Sequence, residues 1–150
     1  MSYTAIKGLQ SEIFVPVTPP MVWTPVTKPM NEWVVAIATA AGVHGKDQVR
    51  FNLSGDFGYR IVRDSYAPEE LMVSHGGYDN ADVNKDINCM SPYERLHELA
   101  ADGVIKGVGP NHYCFMGGGG NQEKFKNETG PAIAQHLKEE GVDAVLMTAG

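Results

Sequence analysis

The sequence is poor in the features that mark specialised protein classes. It has only two cysteines, Cys89 and Cys114, far apart and outside any C-x-x-C pattern. A disulfide scaffold is therefore excluded, and reduced thiols in a cytoplasmic protein are expected. No apolar run approaches the roughly 18 residues needed to span a bilayer. The first twenty residues lack the basic-then-apolar order of a signal peptide. There is no Lys/Arg-rich run, and the net charge of −6 argues against a nucleic-acid partner. Gly42-Val43-His44-Gly45-Lys46 lacks G-x-G-x-x-G spacing, and no Gly-Lys-Ser/Thr follows the glycines at 117–120. Neither a nicotinamide turn nor a P-loop is expected. What is left is 150 residues of ordinary globular composition, 43% hydrophobic and 20% charged, enough for one domain with a buried core.

Proline is unevenly spread. Pro16, Pro19, Pro20, Pro25 and Pro29 fall within fourteen residues. Such a segment cannot be a helix or a central strand, because proline fixes φ and lacks a donor. It also carries Ile13, Phe14, Val15, Val17, Met21, Val22 and Trp23, which a disordered linker normally lacks. Residues 1–30 are therefore read as an extended arm lying on a surface, its own domain's or a partner's, and 31–150 as an α/β domain. Glu32 to Ala41, with an apolar run beginning at Trp33, predicts a buried strand, followed by a turn over 42–46. Asp56–Arg63, Leu71–His75 and Val104–Val108 predict further strands. Ser91-Pro92-Tyr93-Glu94 predicts a capping box opening a helix, with Tyr93, Leu96, Leu99 and Ala100 inward and Gly103 as its stop. A helical stretch is expected over about 121–126. Another opens at Pro131, with Ile133, Ala134 and Leu137 inward and Gly141 as its stop. Val142–Thr148 predicts a final buried strand. Strands alternating with helices imply a mainly parallel open sheet with helices on both faces, of the Rossmann or flavodoxin type. The chain stops at the carboxyl end of that last strand, where ligands gather in such folds, so a catalytic residue and a following segment are expected to be missing.

Two polar clusters fall on predicted strand ends. The first is His75-Gly76-Gly77-Tyr78-Asp79-Asn80-Ala81-Asp82-Val83-Asn84-Lys85-Asp86-Ile87-Asn88. Asp82, Asn84, Asp86 and Asn88 have calcium-loop spacing, but Ile87 stands where glycine is needed and Tyr93 where the bidentate glutamate is needed. His75, Asp79 and Asp86 match no standard transition-metal spacing. Two readings stay open: a rim loop whose Asp and Asn side chains satisfy turn amides, or a substrate or catalytic role for His75 with a carboxylate such as Asp79. The second cluster is His112 to Asn121. Gly117, Gly118, Gly119 and Gly120 before a helix form either a hinge or an amide cradle for a carboxylate or phosphate. Arg60 either pairs with Asp56 or forks onto a substrate carboxylate. Both cysteines are expected to be buried, with Cys114 the one to test for reactivity.

Several segments carry a specific resemblance: Val-Thr-Pro-Pro at 17–20, Val-Trp-Thr-Pro-Val-Thr-Lys at 22–28, Ala-Thr-Ala-Ala-Gly-Val-His at 38–44, Val-Ser-His-Gly-Gly-Tyr-Asp-Asn at 73–80, Asp-Val-Asn-Lys-Asp-Ile-Asn-Cys-Met at 82–90 and Phe-Met-Gly-Gly-Gly-Gly-Asn-Gln at 115–122. Together they resemble the selenoprotein subunits of D-proline reductases, relatives of the selenoprotein B component of glycine, sarcosine and betaine reductases. The proline-rich start favours the proline-type enzymes. The resemblance implies a selenocysteine directly after Thr148-Ala149-Gly150, then a nearby cysteine and more α/β chain, so that 1–150 alone would be inactive. It implies reductive opening of D-proline to 5-aminovalerate, a pyruvoyl group on a partner subunit, a dithiol or protein electron donor, and no metal or nucleotide. His75 or His112 would then be the proton donor, and the amides of Gly117 to Asn121 the carboxylate cradle. Two other classes stay open: a non-catalytic assembly subunit docking through the arm, and a metal-dependent hydrolase using His75, Asp79, Asp86 and His112.

Overall fold

The computed structural model describes residues 24–117 and 121–149. Most of the expected arm (1–23) and Gly118 to Gly120 lie outside the described residues. β1 (Val34–Thr39) is the centre of a five-stranded sheet, as its apolar run predicts. One edge pairs in parallel with β7 (Ala144–Thr148) over five residues, Val35 to Thr39. The other edge pairs in parallel with β5 (Gly107–Val108) and then β6 (Asn111–Phe115). The Trp33 and Val35 carbonyls accept from Gly107 and Gly109, whereas the Val34 carbonyl accepts from Asp143. Alternate residues of a strand bond to opposite sides, so β5 and β6 lie end to end along one edge. Gly109–Pro110 breaks them apart, since Pro110 has no amide to offer a ladder. β3 (Tyr59–Arg63) lies antiparallel on the far side of β6.

Several elements differ from the sequence expectation. Residues 42–46 do turn, but then form a short strand, β2 (Val43–Gly45). It pairs antiparallel with β4 (Leu71–Val73) in a separate two-stranded sheet. The turn depends on Gly42, at φ 72°, because a Cβ there would meet the Ser74 carbonyl oxygen at 2.4 Å. β6 was not foreseen as a strand, being short and preceded by the proline break. β7, expected to be buried, is an exposed edge: Val145, Leu146 and Met147 are 37%, 39% and 64% exposed. Among the described residues no strand pairs with its outer side. The opposite edge is covered, with Gln48 Nε2 donating to the Ile61 carbonyl of β3 at 2.8 Å.

Helices cover both faces. α1 (Tyr93–Ala101) packs Tyr93 and Leu96 with Val35, Ile37, Val62 and Cys114. α3 (Gly130–Glu139) packs Ile133 and Leu137 on Ala36 and Tyr113, which alternate to the other face. Each such apolar side chain contributes about 1.5–3 kcal/mol when fully buried. Leu99 and Ala134, expected inward, are exposed. The capping box at Ser91 does not form. Ser91 is itself buried, and Glu94 instead accepts from the Asn88 side chain. Gly103 and Gly141 follow the two helices at φ 71° and 69°, as expected of stops. The stretch beginning at Asn121 runs through α2 (Gln122–Lys124) and one π turn (Phe125–Thr129) into α3. No helix among the described residues is long and apolar enough to cross a membrane.

His44 on β2 is fully buried. Its Nδ1–H donates to the Gly45 carbonyl at 2.8 Å, and Nε2 accepts from the Ser74 hydroxyl at 2.9 Å. Burial pushes its pKa below the ordinary 6.5, against the Gly45 carbonyl, which raises it; the charges of Arg60 and Arg50 add to the lowering. The unfolded chain therefore takes up this proton first as pH falls. Stability is full above about pH 6.5 and declines below it. The urea midpoint is expected to fall between pH 7.5 and 5.5, and His44→Asn to remove most of that slope.

Candidate functional site at the carboxyl rim

The carboxyl ends of β1, β6 and β7 are tied together. Gly117 N–H donates to the Ala40 carbonyl at 2.7 Å, and Ala40 N–H to the Thr148 carbonyl at 3.0 Å. The loop after β4 is tied to the same place: Tyr78 Oη–H donates to the Ala41 carbonyl at 2.8 Å, and Thr148 Oγ1–H to the Met90 carbonyl at 2.6 Å. His75 sits half-buried among these groups. Its Nδ1 accepts the Gly77 amide at 2.9 Å, and its ring lies 4.7 Å from that of Tyr78. Its Nε2 is 3.7 Å from where a Cβ on Gly117 would stand. Among the described residues Nε2 has no hydrogen-bond partner.

The rest of the first cluster mostly holds the loop. Asp79 is exposed and accepts from the Ala81 amide, Asp86 from the Asn88 amide, and Asn84 from the Val73 amide. Asn80 Nδ2 donates to the His75 carbonyl. These are turn-satisfying roles. Among the described residues four buried polar side-chain atoms lack partners, and two of them, Asn80 Oδ1 and Asn88 Oδ1, belong to this loop. Unused acceptor capacity is thus concentrated there. No three of His, Cys, Asp and Glu come together as metal ligands among the described residues.

His112 does not join His75. It is 1% exposed, near the start of β6. Its Nδ1 accepts the Ile37 amide at 3.1 Å, taking the place of the ladder that Gly109–Pro110 interrupts. Its Nε2–H donates to Asp64 Oδ1 at 3.1 Å, and His97 of α1 donates to the same oxygen at 2.9 Å. Burial raises the Asp64 pKa, but the bonds from His112 and His97 outweigh it and hold the carboxyl below the ordinary range. Both His112 nitrogens are occupied, so it has no proton to offer a ligand. Arg60 is likewise engaged, donating to the Val49, Arg50 and Tyr59 carbonyls and to Asp56, with its guanidinium 4.2 Å over Phe51. The ion-pair reading of Arg60 fits this geometry. Gly117 spends its own amide on Ala40, Gly118 and Gly119 lie outside the described residues, and Asn121 Oδ1 caps α2 through the Lys124 amide at 2.9 Å.

One of the two thiols lies in the core as expected. Cys114 is fully buried, and burial pushes its pKa far up, so it is inert; Cys89, expected in the core, is exposed beside Met90. A groove of about 420 Å³ lies at the other end of β7, between residues 24–28, Trp33 and Asp143–Val145. Lys28 pairs with Asp143 there at 2.6 Å. Sequence reasoning assigned nothing to Tyr78 and Thr148. An aromatic one residue past a Gly-Gly turn was the available signal for the first, and Thr148 gave none.

The described residues form a mainly parallel α/β layer with a tied rim at its strand ends, the place where ligands gather in open α/β folds. The chain belongs to the glycine/sarcosine/betaine reductase selenoprotein B family, whose family model matches residues 5–150. It is 61% identical over 147 residues to D-proline reductase subunit gamma of Acetoanaerobium sticklandii, covering 98% of this chain and 61% of that protein. It is 33% identical to glycine reductase complex component B subunit gamma of Carboxydothermus hydrogenoformans and 32% to sarcosine reductase complex component B subunit beta of Peptoclostridium acidaminophilum. In both cases 83% of this chain and 30% of the relative is covered. The chain thus spans 61% of the length of the first of these relatives and 30% of the other two. No solved structure matches it.

Two outcomes are expected. Iodoacetamide labels Cys89 in the folded protein and reaches Cys114 only after denaturation, as peptide mass spectrometry would read. Asp64→Ala strands the buried His112 Nε2–H and costs about 1–3 kcal/mol in urea unfolding.

Proposed function

We propose that this chain builds the substrate rim of a reductase subunit that opens the ring of D-proline to 5-aminovalerate. The 61% identity to a D-proline reductase subunit carries the reading. The convergence of His75, Gly117 and Thr148 on one rim supports it. The net change is D-proline plus two electrons and two protons, with a dithiol or protein donor oxidised to the disulfide. A selenocysteine is expected directly after Gly150; a selenolate is ionised at neutral pH and supplies a nucleophile able to displace the ring nitrogen from the α-carbon. A pyruvoyl group on a partner subunit supplies a carbonyl suited to the substrate amine. The work proceeds in the cytoplasm, on a sheet we take to be of the Rossmann/flavodoxin type, with β6, α3 and β7 as one crossover unit.

The chain's own residues bind and orient. Thr148, fastened through both its carbonyl and its hydroxyl, sets the chain leaving β7 beside Ala40. His75, with Nε2 facing Gly117, is the histidine at the reacting centre in place of His112, whose nitrogens are taken. The amides of Gly118, Gly119 and Asn121 are assigned to the substrate carboxylate, with Gly117 serving by having no side chain. Asp79 is assigned to hold the loop that carries His75.

In the assembled reductase, His75→Ala is expected to lower D-proline turnover by about 100-fold or more. Unchanged turnover would sink the assignment. His112→Ala is expected to show as lost stability in a thermal melt.

A further inference from the structure

Three glycines from three segments close around the His75 ring. A Cβ on Gly42 would lie 3.4 Å from His75 Cβ. One on Gly77 would lie 2.8 Å from Cε1 and 3.1 Å from Nδ1, and one on Gly117 would lie 3.7 Å from Nε2. Tyr78 covers the ring at 4.7 Å, and the Tyr78 hydroxyl is held by the Ala41 carbonyl. The ring is therefore held in place on its Cβ, Nδ1 and face sides, and among the described residues Nε2 has no hydrogen-bond partner.

The hydrogen bond at Nδ1 then settles which nitrogen carries the proton. The Gly77 amide is a donor, so the Nδ1 it meets at 2.9 Å is a lone pair. Neutral His75 must carry its hydrogen on Nε2, aimed over Gly117. A neutral imidazole cannot release that proton near pH 7. Releasing it as an acid requires imidazolium, with a second hydrogen on Nδ1 opposed to the Gly77 N–H. A cycle of proton transfer through Nε2 would break and remake the Gly77 bond at every turnover. Donation of a hydrogen bond without transfer leaves that bond intact.

We infer that His75 is a fixed neutral Nε2–H donor that binds an anionic oxygen, the carboxylate of an amino- or imino-acid substrate, and that Gly77 and Gly117 are positioning residues that set its tautomer and keep Nε2 uncovered. This rests on the rim being the substrate site. The proton for the departing amine comes from another group.

Two measurements test it. Long-range ¹H–¹⁵N correlation spectra of the full chain report the His75 tautomer without any turnover. An Nε2–H tautomer is expected for the neutral ring, and an Nδ1–H tautomer overturns the inference while leaving the reductase reading in place. In the assembled reductase, His75→Gln keeps an N–H close to the Nε2 position but cannot shuttle a proton. It is expected to keep D-proline kcat/KM within about tenfold of wild type while His75→Ala loses about 100-fold. If a folded Gln variant is as inactive as Ala, His75 transfers its proton and the inference fails. If Ala is fully active, the rim assignment fails instead. Gly117→Ala, placing a methyl group near Nε2, is expected to raise KM for D-proline more than it lowers kcat, with the Nε2–H tautomer retained; a KM left at the wild-type value counts against the role given to Gly117.

Discussion

The hydrogen bond from the Ile37 amide to His112 Nδ1 holds the sheet at its weakest place. β1 is paired on both edges, as is β6, and one edge of β1 is broken by Gly109–Pro110. Without the imidazole, the Ile37 N–H would be buried with no acceptor, at a cost comparable to a lost hydrogen bond. The same ring continues through Asp64 to His97, so the repair also fastens α1 to the sheet. The chain β1–His112–Asp64–His97–α1 thus links the central strand, its neighbour and a covering helix through side chains alone. The cores on both faces, and the rim at the strand ends, depend on that register being kept.

Two histidines, His75 and His112, meet opposite fates for one reason. Each has an Nδ1 that accepts a backbone amide. The second nitrogen of His112 is spent inside the fold, and that of His75 is not. The rim gains its character from such leftovers: one unspent donor, two unspent carboxamide oxygens, and a backbone left bare by glycine. No uncompensated charge is needed to make it a binding surface, since Arg60 is turned inward to hold the segment from Val49 to Asp56.

The sequence made some elements legible and hid others. β1, α1 and α3 declared themselves, because a run of five apolar residues and two amphipathic stretches ending in glycine leave few alternatives. β2 and β6 did not, because three- and five-residue strands carry too little periodicity, and their pairing is decided by distant segments. Apolar content also misled at β7: Val145-Leu146-Met147 reads as core, yet burial requires a neighbour and not merely hydrophobicity. Of the site, His75 and the first glycine of the run could be named from their place after apolar strands. The retreat of His112 and Arg60 into structural work could not, since it turns on a break at Pro110 and on carbonyls far along the chain.

The unequal edges of the sheet have a consequence for motion. β3 is bonded on one side and covered by Gln48 on the other, while β7 has β1 on one side only. Strands with fewer partners open at lower free energy than those locked within a ladder. Among the described residues, local stability is therefore lower at β7 than at β1 and β6, which are paired on both sides. His75 hangs from the stiff part, through Gly42, Tyr78 and Gly117, whereas Thr148 rides on the yielding strand. The rim is a seam between a rigid jaw and a compliant one, and breathing of the outer strand changes the distance between them without disturbing the imidazole.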